Sequence, residues 1–402
     1  MSGCFHIVIT GVLVGTFGVA AGTGWGQSLT CYHVGNSLTW DSRPDFGLPR
    51  LASDAGLTLT TGWHIRCNGS LNHIVDNPTE VCVSPSAFGY YTESFANYAW
   101  DAVTLQPYSS ENTPSTPRME AAGFKSMIQL VRQNPDNADT TFYLYTGWMS
   151  QTDMGGDFYS AWYDSTPVDP DADLIRNAAA FDWIYDRLVD DQELAGIDIQ
   201  VIPVGNVLAE LDRRMTLGEI PGFTGVEQLY RDDLHMNNLG WFVASNTVMS
   251  ALFKLNPTGT PTNPAFILAP GQTESIEITA ELGAMIQDAV WDVVWSHPHT
   301  CVLPGDLDGD RFVGIGDLNI ILSDWNQHVC PANIQADPTC DGFIGIADLN
   351  IVCGNWNNGI PPGSVVPEPA ISLLMLVTLV TACPHRGRRS HWGSTCGAIR
   401  VR

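Results

Sequence analysis

The sequence predicts an α/β fold, a parallel sheet covered by helices on both faces, with a small helical domain appended to it. Strand-like and helix-like segments alternate from about residue 29 to residue 256, and a chain that alternates in this way joins parallel strands through crossover helices. Candidate functional side chains follow the strand-like runs directly, at the carboxyl ends where ligands gather in such sheets. From Cys301 onward Asp, Gly and Asn dominate and one loop–helix unit occurs twice. With 402 residues, 44% hydrophobic and 15% charged, the chain has material for one large core and smaller satellites, which excludes a wholly disordered or collagen-like polymer.

Five runs read as strands: LTCYHVG at 29–35, LTLTTGWHI at 57–65, WDAVTLQPY at 100–108, TTFYLYTGW at 140–148 and IDIQVIPVG at 197–205. Each is rich in β-branched and aromatic residues. Residues 119–133 and 173–191 place apolar side chains three and four apart and read as helices. A mostly apolar helix follows at 241–253, then a Pro-, Thr- and Gly-rich loop at 257–275. An amphipathic helix at 276–298 packs back on the same domain, whose bounds are 29–300.

Forty-three acidic side chains oppose 18 basic ones, a formal charge of -25, and five of those cations fall in the last 17 residues. A surface so acidic repels phosphate backbones and excludes nucleic acid as a partner. Divalent cations and uncharged substrates remain.

At the end of the first strand, Gly35-Asn36-Ser37-Leu38-Thr39 lifts a serine onto a strand-to-helix corner. An alcohol is a poor nucleophile at neutral pH, and needs an imidazole to take its proton and a carboxylate to hold that imidazole. Asp232 and His235 supply both, three residues apart in a short turn ahead of the apolar helix. GNSL near the start of the domain and DxxH before its last helix resemble the first and last blocks of the SGNH (GDSL) hydrolases, over roughly 230 residues. The resemblance implies a flavodoxin-like three-layer α/β/α sandwich and cleavage of esters, often acetyl groups on carbohydrate, so the expected partner is an ester-bearing glycan or a small acyl ester. It makes Ser37 the nucleophile, His235 the general base and then acid, and Asp232 its orienting partner. It also implies an oxyanion hole formed by the Ser37 N–H, the Gly69 N–H after the second strand, and Gln106, which stands where the family's GxND block would supply an asparagine. Asn36 shapes the turn, and Asp233 caps a loop or faces solvent. His64 and His73, near Gly69, read as structural histidines. The aromatic residues Trp148, Tyr159, Trp162 and Tyr163 read first as packing and second as a platform for sugar rings.

Between 301 and 360, carboxylates recur at Asp306, Asp308, Asp310 and Asp317, with Phe312 at the seventh position, and again 31 residues later at Asp337, Asp341 and Asp348, with Thr339 and Phe343 at the third and seventh. Oxygen ligands at positions 1, 3, 5 and 12 of a twelve-residue loop, with a main-chain carbonyl at 7, suit Ca2+. Both loops resemble type I dockerin repeats, which implies structural calcium and a cohesin as partner, or else a calcium-stabilised spacer.

Residues 5–22 form an unbroken non-ionic stretch, and 1–28 read as a secretion signal. In the tail, 361–402, Val366-Pro367-Glu368-Pro369 precedes fourteen apolar residues and then Arg386, Arg388 and Arg389. Fourteen residues reach about 21 Å as a helix, short of a ~30 Å hydrocarbon core. The tail resembles a PEP-CTERM sorting signal, which implies export to the cell envelope and recognition by exosortase-type sorting machinery. Cys67 and Cys82 bracket a loop suited to a disulfide in an oxidising compartment, and Cys301, Cys330, Cys340 and Cys353 cluster with their pairing open.

Two readings of the whole follow. One is an exported serine esterase; the other is a non-catalytic, calcium-binding envelope or matrix protein that keeps a hydrolase-like fold for binding glycans.

Overall fold

A computed structural model describes residues 28–262, 276–300, 305–307, 312–328, 336–338 and 343–358. The expected signal and sorting tail, together with Asp308, Asp310, Thr339 and Asp341, lie outside these residues.

All five expected strands form, and they make one parallel sheet in the order β2-β1-β3-β4-β5. They are β1 (Ser28–Gly35), β2 (Thr58–Ile65), β3 (Ala102–Leu105), β4 (Thr141–Tyr145) and β5 (Ile199–Ile202). This is the order of flavodoxin-like sheets. The register runs Val34 opposite His64 on one side and Leu105 on the other. β3 and β5 are buried at every position, so neither face meets solvent, and their side chains are apolar apart from Thr104 and Gln200. β3, β4 and β5 are shorter than their sequence patterns. Past each carboxyl end the chain leaves the ladder to build loops, and residues 106–108 and 146–148 belong to those loops.

Helices follow the strands: α1 (Ser37–Trp40), α2 (Gly47–Asp54), α3 (Leu71–Asp76), α4 (Tyr91–Asn97), α5 (Pro117–Val131), α6 (Gln151–Met154), α7 (Phe158–Trp162), α8 (Ala178–Val189), α9 (Val204–Thr216), α10 (Asn238–Phe253), α11 (Ala280–Ser296), α12 (Ile315–Ser323) and α13 (Ile346–Gly354). One set, α2, α9, α10 and α11, packs together, and α3, α4, α5 and α8 form a second. α5 starts where Thr116 caps the Met119 N–H and Pro117 sits in the first turn. α8 begins at 178 rather than 173 because Asn177 caps it. α11 begins at 280 rather than 276. Asn238 holds both backbone groups of Ile276 in a non-helical conformation, at 2.7 and 3.0 Å, and Thr279 caps the helix. Every residue of α10 is buried, and its polar side chains Ser245, Asn246 and Thr247 donate to backbone carbonyls there.

His33 and His64 lie in the core fully buried, and burial lowers them to about 3 and about 4. His73 bonds Glu80 at 3.1 Å. Cys67 and Cys82 form a disulfide, while Cys31 is buried and free. Closing a loop of this size contributes about 3 kcal/mol by the chain-entropy estimate.

The acidic repeats have their own small core of Val313, Ile321, Ala336, Ile344 and Val352. Their pairing is reciprocal. Val313 exchanges backbone hydrogen bonds with Asn357 and Asn358, and Ile344 does the same with Asn326 and Gln327. Each loop is thus tied to the end of the other unit's helix. Among the described residues no helix is long and apolar enough to cross a membrane.

Candidate functional site

The strand order reverses between β1 and β3, the usual ligand position in an open α/β sheet. Asn36 and Ser37 follow β1 there, and Gln106 follows β3. Asn36 caps α1, accepting the Leu38 N–H at 2.9 Å, and its amide donates to the Gly69 carbonyl at 3.2 Å. Gly35 is required here, since a Cβ at this position would lie 2.2 Å from Thr39 Oγ1 and 2.9 Å from Gln106.

The imidazole arrives on a loop closed at its base. Tyr230 and Met236 form an antiparallel bridge, Arg231 N donates to the His235 carbonyl at 2.9 Å, and Asn237 N donates to the Leu229 carbonyl at 2.8 Å. Asp232 and His235 lie at its tip. His235 Nε2 is 2.8 Å from Ser37 Oγ, across 198 positions of sequence, and His235 Nδ1 is 2.9 and 3.0 Å from the two Asp232 oxygens. An ionised carboxylate only accepts, so Nδ1 carries the proton and Nε2 is left to accept from the serine hydroxyl. Burial pushes the Asp232 carboxyl up, but the His235 and Leu234 backbone N–H groups and the His235 ring outweigh it and hold it below its usual range. Asp232 therefore stays ionised and fixes the tautomer.

Two groups that sequence reasoning missed hold this arrangement. Asp41, 1% exposed, accepts from Arg231 at 3.0 Å, Trp241 Nε1 at 2.9 Å and Met236 N at 2.8 Å. It directly follows α1, so one carboxylate joins the serine turn to the histidine loop. Burial raises its pKa against the pull of Arg231 and the Met236 N–H. The segment after β4 supports the loop from the other side: Trp148 Nε1 donates to Leu234 O at 2.8 Å and Gln151 to Asp232 O at 2.8 Å, while Tyr230 OH donates to Met149 O at 2.9 Å. Asp233 caps this segment, accepting from Thr152 N and Oγ1. The only sequence signal for Asp41 was an acid four residues past the serine. Trp148, whose sequence context suggests packing, is fully buried.

The oxyanion side differs from expectation. The Ser37 N–H has no acceptor among the described residues, as an oxyanion donor requires. The Gly69 N–H, however, donates to the Arg66 carbonyl at 2.8 Å, closing a turn. Gln106 is fully buried. Its Oε1 accepts from Thr39 N at 3.0 Å, Thr39 Oγ1 at 2.5 Å and Asn36 N at 3.3 Å. Those backbone donors fix the amide's orientation, so Nε2 points away from them, enclosed and without a partner. In this conformation Gln106 holds the serine turn, and its amide N–H is not presented to a substrate.

Beneath these loops Glu120, fully buried, gathers the Leu71 N–H at 3.0 Å, the Tyr108 N–H at 2.9 Å and the Ser115 hydroxyl. Burial raises it to about 7 against those bonds. A cavity of about 930 Å³ opens beside the triad, lined by Tyr108, Met149, Asp153, Arg176, Asp233 and Leu234 among others.

In the repeats, Asp317 and Asp348 are fully buried at the starts of α12 and α13. Asp317 accepts from Gly314 N and Leu307 N, each at 2.6 Å, and Asp348 from Gly345 N at 2.8 Å. Asp337 is 4% exposed. Among the described residues no group of three or more His, Cys, Asp or Glu side chains is placed to hold a metal.

No family model matches the chain, and no curated protein matches it. Among solved structures it is similar to a DUF4886 family protein from Bacteroides uniformis, with a TM-score of 0.44 and 17% identity, over 67% of this chain and 96% of that one.

Proposed function

We propose that this chain is an exported serine esterase of SGNH type that hydrolyses acyl, including acetyl, esters of a carbohydrate. The observation that carries the reading is the unbroken run of contacts from Ser37 Oγ through the His235 ring to Asp232. Nucleophile, base and orienting acid meet at hydrogen-bond distance from two remote parts of the chain. In the reaction, Ser37 Oγ attacks the ester carbonyl as its proton passes to His235 Nε2. The negative oxygen forms against the Ser37 N–H. His235 returns the proton to the departing alkoxide, leaving an acyl-serine, and the same nitrogen then deprotonates the water that releases the acid. Asp232 stays ionised and steadies the imidazolium throughout.

Ser37→Ala tests this directly. It is expected to lower p-nitrophenyl acetate turnover at least about 10⁴-fold with no loss of thermal stability. Activity within tenfold of the unaltered chain would refute the nucleophile.

For the repeats, Asp306 and Asp317 of the first loop and Asp337 and Asp348 of the second stand at the first and twelfth positions of the calcium pattern, which supports a hard cation there. Bound calcium would tie the two loops, and the repeats would serve as a dockerin-like module facing a cohesin or as a stabilised spacer before an exosortase-sorted tail. Calcium added to the chelated chain is expected to raise the unfolding temperature of the repeats; an unchanged melt with no binding heat would remove calcium from the reading.

A second reading, a non-catalytic glycan-binding envelope protein, is favoured by the Gly69 N–H and Gln106 amide, neither of which is presented to a substrate.

A further inference from the structure

α7 carries aromatic side chains on two opposite faces. Phe158 and Trp162 are fully buried and stack at 5.9 Å, and Trp162 fills the space in which a Cβ on Gly205 would sit. Tyr159, on the outer face, and Tyr163, which ends the helix, are 40% and 44% exposed. Their rings meet edge to face with centroids 5.0 Å apart. The inner pair anchors the helix, and the Tyr159 N–H is held by Asp212 at 3.1 Å. The two phenol rings are therefore presented on a fixed support.

They form one wall of a cleft of about 440 Å³, completed by Asn206, Glu210, Ser296 and His297. Asp292 also lines it, and the carboxylates of Glu210, Asp288 and Asp292 outnumber the two arginines that pair with them. Glu210 pairs with Arg213 and Arg214, and Arg214 also pairs with Asp288 and Asp292. Burial, reinforced by His299, lowers His297 to about 4, which leaves a neutral imidazole at pH 7. Asn206 Nδ2 donates to Tyr163 OH at 3.4 Å. What faces a ligand is aromatic surface edged by the uncharged donors and acceptors of Asn206, Ser296 and His297 and by the ion-paired carboxylates of Glu210 and Asp292, a rim that repels anions.

We infer that this cleft is a binding site for a neutral pyranose unit, separate from the triad. A pyranose ring offers an apolar C–H face that an aromatic ring covers, and a rim of hydroxyls that amide, hydroxyl and imidazole groups can bond. An anionic ligand would find Arg214 already neutralised and would meet a strongly acidic chain. Ser160 and Ala161, on the other side of α7, line the larger cavity beside Asp233 and Leu234. The helix is thus a partition between the two, and a glycan chain crossing it would be held at the tyrosines while another part entered the larger cavity. The site does not depend on the chemistry of Ser37.

The test is affinity electrophoresis of the full chain in gels containing xylan, glucomannan or dextran, with polygalacturonate as the anionic comparison. At least one neutral polysaccharide is expected to retard the protein and polygalacturonate to leave it unretarded. Tyr159→Ala/Tyr163→Ala should weaken that retardation at least about tenfold, with p-nitrophenyl acetate turnover as in the unaltered chain. Tyr159→Ala alone, at the position that spares the Tyr163–Asn206 contact, should weaken it in the same direction, and serves if the double variant misfolds. Absence of retardation by all three neutral polymers, or retardation indifferent to both variants, would overturn the site. Loss of ester turnover in the unaltered chain would instead strike the esterase reading and leave this one standing.

Discussion

The serine, histidine and aspartate converge with their hydrogen bonds complete, whereas of the two further donors expected for an oxyanion hole the Gly69 N–H is used in a turn and the Gln106 amide N–H is enclosed without a partner. His235 bonds Ser37 and Asp232 at once, while the Gly69 N–H closes a turn and Gln106 faces its acceptor toward the serine loop. Proton transfer needs a chain of side chains, which packing can fix before substrate arrives. An oxyanion hole needs unpaired donors, and a buried unpaired donor costs about 1–3 kcal/mol unless something fills it. The first half of the site is therefore preformed. The second half offers only the Ser37 N–H, among the described residues, until the loops of Gly69 and Gln106 change their bonding.

The largest effect that would sharpen this contrast is expected at Asp232. Asp232→Asn keeps the shape but offers His235 a donor or acceptor at will, so the wrong tautomer becomes available; kcat should fall about 10³- to 10⁴-fold. A fall below tenfold would mean that the carboxylate does not set the tautomer. Next come two positioning groups. Asp41→Asn weakens the tie between the serine turn and the histidine loop and should lower kcat about 10- to 100-fold and stability by about 2–3 kcal/mol. Gln106→Ala leaves Thr39 N, Thr39 Oγ1 and Asn36 N without their acceptor and should cost about 2–4 kcal/mol of stability together with activity. Urea unfolding beside steady-state kinetics separates the alternatives. If Gln106→Ala lowers kcat at unchanged stability, the amide is an oxyanion donor after all and the contrast fails.

How much of this was legible beforehand follows from what each residue depends on. Asp232 and His235 are three residues apart, and local spacing already put them on one turn. Ser37 was marked by a glycine corner after a strand. The five strands were visible because each is rich in β-branched and aromatic residues, which suit a pleated and largely buried surface. Gln106 and Gly69 were found in the right loops, but the direction of an N–H depends on a turn that composition does not encode. Asp41 could not be recognised because its partners, Arg231, Met236 and Trp241, lie about 190 to 200 positions away. The exposure of Tyr159 and Tyr163 beside the burial of Trp162 was equally hidden, since three aromatic residues within five positions fit either face of a helix.

An effect on stability that only pH reveals lies beneath the oxyanion loops. The folded Glu120 carboxyl, at about 7, sits above its ordinary value of 4.5. The proton it keeps therefore stabilises the fold fully below pH 4.5, and that contribution is lost as pH rises to about 7, a change of about 3 kcal/mol. Relative to Glu120→Gln, the unaltered chain should lose stability across this window in urea unfolding at stepped pH. A constant difference between the two would show that the carboxyl titrates alike folded and unfolded.

The most direct measurement of the triad itself is labelling of the intact chain with a fluorophosphonate, located by peptide mass. Ser37 is predicted to take the label, and His235→Ala to abolish it in a chain that still folds. An unlabelled Ser37, or labelling that persists without the imidazole, would contradict the assignment of an activated serine at this corner.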